Sequence, residues 1–532
     1  LIGDKKMKKI NILFIALCAL ALTSSCNDYL DKLPDDRAEV NTADKVKSLL
    51  VSAYPNQSPD FLLEMSSDNV LDNGSQYTAQ PNQDKMYRWE DVETQGNDDP
   101  RTIWSSVYTA VGTANQALAA VNTLTSSDET NGMKAEALLC RAYGMFQLAN
   151  TFCMAWNPDH ADDYLGLPYP KVPDVSVNER GTLKELYANI NADIEEALPL
   201  LNDAHLTVPK YHFNTKAAYA FAARFNLYYM NYDKAIEYAS KVLGSNPSSI
   251  LRDVASYGSL AGAADISNAY MRSGENANLM LVTAVSLAGR APWSSSYGRY
   301  AQARAIVTYE TFWAKMPWGS GSQNNALYES RLLYGNNQHI YYPKMVEQFE
   351  ITDKVNNTGY PHIVDAVFTT DETLLVRAEA YALKNNVSAA LADMNAWIGN
   401  HCKAKAGTAT RPTLTEESVN TFFNALTEVP ATITSDLQRG VKKPLHPQGF
   451  TVAAGTQTNL IYCILQMRRI ETWQQGLRFI DLKRYGIEFS HNLSGEPTRT
   501  FKAGDLRGAI QLPTDVTEAG LAVNPREKTD NQ

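Results

Sequence analysis

Cysteine is scarce in this chain, with six in 532 residues, and two of them, Cys18 and Cys26, lie in its first 26 positions. The other four, Cys140, Cys153, Cys402 and Cys463, show no CxxC spacing and no adjacent histidine pair. That excludes a zinc module, and a chain of this size builds its core without disulfide staples, so free buried thiols are expected. The eight histidines are scattered singly. A calcium loop fails as well: placing Gly74 at the sixth position of an acidic run puts Leu71 at the third and Gln80 at the twelfth, where a carboxylate belongs. HExxH, GxSxG, P-loop and GxGxxG motifs are all missing. No catalytic residue, metal ligand or cofactor is therefore assigned. Positive charge is also in deficit, with 48 Lys and Arg against 58 Asp and Glu and a net charge of −10, which disfavours nucleic acid. Beyond the N-terminus no apolar run approaches membrane-spanning length.

What is present begins with Lys8 and Lys9, the apolar run 10–22, and the small residues Thr23, Ser24 and Ser25 before Cys26. This is the layout of a secretion signal over residues 1–25, with Met7 as the start and residues 1–6 as upstream read-through. As a helix the run reaches only about 20 Å, short of the roughly 30 Å hydrocarbon core. A cysteine directly after small residues resembles a bacterial lipobox of the Ser-Ser-Cys kind common in Bacteroidetes lipoproteins, although Thr23 stands where leucine is usual. That resemblance implies acylation of Cys26, followed by a polar tether to about residue 58; the alternative is ordinary cleavage with Cys26 as a thiol. The rest, 59–532, reads as one domain. Removing the leader takes away four lysines against one acid and makes the body more acidic.

Helical periodicity then dominates. Asp99 and Pro100 open a helix carrying Trp104, Val107, Tyr108, Val111, Leu118 and Val121, and Ala135, Leu138, Leu139, Ala142, Phe146 and Ala149 form the stripe of its partner. Thr182 and Glu185 make a capping box ahead of Leu183, Leu186, Ile190, Ile194 and Ala197. Helical pairs follow at 215–229 with 232–243, turning at Asn231, and at 371–383 with 387–398. Their alanine-rich crossings resemble tetratricopeptide hairpins. The predicted fold is mostly α, a scaffold of helical hairpins interrupted by a loop-rich insertion at about 250–349, and such insertions carry function more often than stability.

The segment Arg469-Ile470-Glu471-Thr472-Trp473-Gln474-Gln475-Gly476-Leu477-Arg478-Phe479-Ile480-Asp481-Leu482-Lys483-Arg484 resembles the SusD-like (RagB/SusD) family pattern R-x-x-E-x-x-x-E-G-x-R-F-x-D-L-x-R. Glu471 falls two places after Arg469, and Gln475 stands where glutamate is usual. It is expected to be one helix with Ile470, Trp473, Leu477 and Ile480 facing inward. Residues 26–31, Trp104 through Tyr108 to Asn115, 374–381, Leu512-Pro513 and Asn524-Pro525 extend the similarity. The resemblance implies an outer-membrane, surface-exposed lipoprotein, held to the membrane by its lipid alone, that binds nutrient and caps a SusC-like TonB-dependent transporter. Its helical hairpins would serve as scaffold and partner contact.

Sugars present flat apolar faces edged by hydroxyls, so their sites need exposed rings with amides or carboxylates beside them. Eleven aromatic residues fall between Trp293 and Tyr342, where about five are expected from the chain's 10% aromatic content. Trp293, Tyr297, Trp318 and Asn324, with Gln323 and Asn325, are the candidates there. Residues 66–89 supply Asp68, Asn69, Tyr77 and Trp89, and in the family an early loop and the later aromatic loop commonly converge. Trp156 is a weaker candidate. The alternatives are a core for the insertion itself, a surface glycoside hydrolase with two carboxylates, a purely helical scaffold, or a peptide-binding family member.

Overall fold

The computed structural model describes residues 40–173, 179–319, 326–404 and 410–526. Helices dominate it and pair as the sequence predicts. They include α1 (Ala43–Leu50), α2 (Asp60–Met65), α3 (Pro100–Val121), α4 (Asp128–Phe152), α5 (Leu183–Ala197), α6 (Thr215–Tyr228), α7 (Tyr232–Leu243), α8 (Thr370–Leu383), α9 (Val387–His401), α10 (Thr456–Glu471) and α11 (Leu477–Arg484). Val107, Val111, Leu118 and Val121 of α3 are buried against α4. The crossing is close because position 144 is glycine: a Cβ there would lie 3.0 Å from Val111 and 3.1 Å from Val107.

Capping chemistry sets several helix starts. The Thr182 hydroxyl accepts from the Glu185 amide at 3.2 Å while the Glu185 carboxylate accepts from the Thr182 amide at 2.9 Å. Asn231 and Asn386 each turn a hairpin by accepting from an amide in the first turn of α7 and α9. Asp99 stands at the N-cap position of α3, but its carboxylate accepts from Asn82, Thr94 and the Gly96 amide at 2.6–2.9 Å and leaves the helix amides alone.

Three features differ from expectation. The polar stretch expected to be tether as far as residue 58 already belongs to the body from Val40, because α1 buries Val46 and Leu50 against α3 and α4. The segment 469–484 is two helices: α10 stops at Glu471, Gln474 and Gly476 both take φ of +68°, and α11 begins at Leu477. Ile470, Trp473 and Ile480 are buried as expected and Leu477 only partly. A Cβ at Gly476 would lie 2.8 Å from the Leu63 Cβ, so glycine serves both the left-handed turn and the contact with α2.

The insertion, finally, is more ordered than loops. Its strands are β2 (Asn278–Ala284), β3 (Tyr300–Ala301), β4 (Tyr334–Gly335), β5 (Ile340–Tyr341) and β6 (Gln348–Asp353), and β7 (Thr358–Thr369) runs straight into α8. An antiparallel sheet in the order β2-β7-β6 therefore roots the insertion in the scaffold.

Buried charge ties the parts together. The Asp68 carboxylate accepts from Arg478 at 2.8 Å through both Nε and Nη2 and from Lys443 at 2.6 Å. Glu310, inside the insertion, takes Lys443, Arg439 and Arg469 at 2.8–3.1 Å. Burial opposes ionisation of Asp68, yet Arg469, Arg478 and Lys443 hold it well below the usual carboxylate range. Arg468 pairs with Asp481 at 2.9 Å and Arg484 with Glu379 at 2.7 Å, so the arginines of the 469–484 region and its neighbour do flank acids. The four body cysteines are buried and free.

Candidate functional site

The early loop and the insertion meet. The short strand β1 (Leu71–Asp72) pairs antiparallel with β3, and the Asn73 side-chain amide donates to the carbonyls of Gly298 at 2.9 Å and Gln338 at 3.0 Å. The Arg299 guanidinium closes on Asp72 at 3.1–3.2 Å.

Three candidate rings lie on the surface made there. Trp293 is 48% exposed, and its Nε1 donates to the Gly289 carbonyl at 2.8 Å, which fixes the indole and leaves a face open. Tyr297 is half-buried with its ring edge-on to Phe61 at 5.9 Å. Tyr77 is half-buried above Gly298, where an added Cβ would come 3.6 Å from its ring. Rings held by their own packing bind at low entropic cost, since little side-chain freedom remains to be lost.

Asp68, Asn69, Trp89 and Trp318 are buried, against the expectation of exposed ligand contacts. Asp68 is the counter-ion described above, and Asn69, wholly buried, donates to Glu64 at 3.0 Å and accepts from Arg469 at 2.8 Å. Trp89 is buried, donates to the Ser66 carbonyl at 2.9 Å and stacks on His491 at 4.3 Å. Trp318 is 2% exposed and packs on Trp397 at 5.8 Å, so it is core shared by insertion and scaffold. Trp156 packs against Tyr187 and Tyr229. Asn324, with Gln323 and Asn325, lies outside the described residues.

A groove that sequence reasoning missed runs between residues 304–315 of the insertion and residues 426–442, with a volume of about 1210 Å³. Tyr309, 39% exposed, and the half-buried Trp313 line it. Trp313 donates through Nε1 to the Ser330 carbonyl at 3.0 Å. Arg304 lies 5.5 Å from the Trp313 ring centre and donates to the Asn337 side chain at 3.1 Å. Arg304 and Trp313 also border a second depression of about 550 Å³ along Arg331, Tyr334, Asn336 and Asn337. The β4–β5 hairpin thus stands between the two surfaces, bonded to Arg304 through Asn337 and to Asn73 through Gln338. Ring density flagged Tyr309, Trp313 and Tyr334, but nothing in local spacing pointed to the facing segment.

Two clusters of buried acids lie among the described residues. Asp60 and Asp365 border a cavity of about 70 Å³, space for about two waters at ~30 Å³ each and none for a sugar ring. Burial raises both carboxyls, and the charge of Asp365 raises Asp60 further. Gln475 donates to Asp365 at 3.0 Å, so an amide at the position where the family pattern has glutamate avoids a third acid. Asp371, His401 and Glu471 lie within ligand reach of one another. His401, however, carries Glu329 on Nδ1 and Asp371 at 3.0 Å on Nε2. Burial opposes its charge, but Glu329 and Asp371 outweigh that and push its pKa up to about 10, so an imidazolium already stands among these acids and offsets part of their charge.

Residues 28–227 match the model of a SusD-like family described as starch-binding and associating with the outer membrane. No curated protein matches the sequence. Solved structures do. A SusD superfamily protein from Bacteroides thetaiotaomicron shares 17% identity over 91% of this chain and 100% of its own, with a TM-score of 0.60. A putative sugar binding protein from Bacteroides vulgatus shares 15% identity over 91% of this chain and 98% of its own, at 0.63. A laminarin binding SusD-like protein shares 16% over 91% and 99%, at 0.53. Residues 28–227 thus resemble that family in sequence, and the described body shares the fold of these solved structures.

Proposed function

We propose that this chain is a lipid-anchored cell-surface protein that binds a glycan and passes it unaltered to a SusC-like TonB-dependent transporter. Cys26 would carry the anchor. Among the described residues no helix is long and apolar enough to cross a membrane, in keeping with attachment through lipid alone. One observation supports the reading: Trp293 stands 48% exposed with its indole pinned to the Gly289 carbonyl, in the stretch of the insertion that also carries Tyr297 and has Tyr77 over Gly298. Ring faces of that kind stack on pyranose faces, and nearby serine hydroxyls and amides can take sugar hydroxyls. A site that only stacks and hydrogen-bonds captures a glycan without cleaving it.

Affinity electrophoresis and product analysis with maltoheptaose and laminarihexaose, extended to a wider glycan panel, test this. Retention without cleavage, lost in Trp293→Ala with helical circular dichroism intact, is the expected result. Cleavage products would favour the hydrolase, and no retention of any glycan would refute the proposal. Co-purification of a barrel transporter from outer membranes tests the partner.

A further inference from the structure

The groove between residues 304–315 and 426–442 differs in charge from the rest of the molecule. Overall, acids outnumber bases 58 to 48. Along the groove and its adjoining depression Arg304, Lys315, Lys442 and Arg331 are all present, and the lone acid on the rim is Glu428. Arg439 also lines the groove but is already neutralised, by Glu310 and Asp436 at 2.8 Å each. The other four cations have no carboxylate partner among the described residues. Arg304 is instead held by the Asn337 side chain at 3.1 Å and Lys442 by the Leu426 carbonyl at 3.2 Å. Bonds to neutral acceptors orient a cation without quenching its charge.

We propose that this groove binds an anionic oligosaccharide, one carrying carboxylate or sulfate groups. The inference rests on the glycan-binding reading and adds a ligand class and a second surface to it. Tyr309 and Trp313 offer ring faces for the sugar, while Arg304, Lys315 and Lys442 stand around them for its acidic substituents. Carboxylates and sulfates take charge-assisted hydrogen bonds from such cations, about twice as strong as neutral ones. A neutral glycan could use Gln438, Asn336 and Asn337 but would leave the charge of the cations unmatched. The volume of about 1210 Å³ suits several sugar units better than a single ion.

Calorimetric titration with three probes tests the inference: oligogalacturonate, which carries only carboxylate, a sulfated galactan oligosaccharide, which carries only sulfate, and neutral laminarihexaose. An acidic probe should bind, and its affinity should fall as sodium chloride rises from 50 to 300 mM, because screening weakens ion pairs at an open rim. The double variant Lys315→Glu/Lys442→Glu should weaken binding by about tenfold or more, while the charge-conserving pair Lys315→Arg/Lys442→Arg keeps it. Which acidic probe wins names the substituent. Salt dependence of the unmodified protein keeps the test decisive if the double variant folds poorly. Binding of laminarihexaose alone would overturn the inference and leave glycan binding standing. Acidic binding indifferent to charge reversal would overturn the placement, and no binding of any probe would overturn this inference and count against the parent reading.

Discussion

Replacing Asp68 by asparagine removes the charge that neutralises Arg478 and shares Lys443 and Arg469 with Glu310, while leaving the volume of the side chain in place. Breaking a buried ion pair by removing one partner costs about 3–5 kcal/mol. Glu310 still holds Lys443 at 2.8 Å and Arg469 at 3.1 Å, and the asparagine oxygen can still accept from Arg478, so the lower end applies. Unfolding entropy of about 2.1 cal/mol/K per residue, over the roughly 480 residues of the body, amounts to about 1 kcal/mol/K, so Tm should fall by about 3 °C. Urea denaturation at 25 °C should show the same loss directly. The Asp68 carboxyl is held below its ordinary value in the native state. Its contribution is therefore complete above pH ~4 and disappears as pH falls through the lowered native value. The gap between wild type and Asp68→Asn should be constant from pH 5 to 8 and close only in stronger acid. Glycan binding at 25 °C should survive. Unchanged stability together with lost binding would refute the structural assignment and return Asp68 to the ligand site.

Asp60→Asn should act in the opposite direction. Native Asp60 and Asp365 hold protons more tightly than the unfolded chain does, so wild-type stability falls as pH rises from ~4 towards the raised native values. The variant removes the Asp60 share of that penalty and should gain on wild type as pH rises from 5 to 8; urea titrations that show the same change in stability between pH 5 and pH 8 for both proteins would contradict it. Trp318→Ala empties a site beside Trp397 and should cost about 3–5 kcal/mol of stability while folded protein keeps its glycan affinity. Trp293→Ala should change stability by no more than about 0.5 kcal/mol yet lose binding, and thermal unfolding alongside titration separates the two tryptophans.

That contrast shows where reading a sequence stops. Helices such as α3, α5 and α7 were legible because apolar residues recur at helical spacing and their caps are local. The break at 472–476 was not, since Ile470, Trp473, Leu477 and Ile480 keep helical spacing across it while Gln474 and Gly476 turn left-handed. Ring density located the insertion, but Trp293 and Trp318 both sit among glycine and serine, and what separates them is Trp397, which covers Trp318 from another part of the chain. Asp68 and Asn69 looked like loop polars because their partners, Lys443, Arg469 and Arg478, lie hundreds of residues away. The basic groove needs residues 426–442 opposite 304–315, a pairing that only the folded chain makes.

Hydroxyl-radical footprinting by mass spectrometry, with and without saturating glycan, reads out which rings the ligand covers. Insertion rings should be protected: Trp293 and Tyr297 with a neutral glycan, Tyr309 and Trp313 with an acidic one. Protection confined to rings of the helical hairpins, such as Tyr219 or Tyr232, with the insertion unchanged, would contradict it.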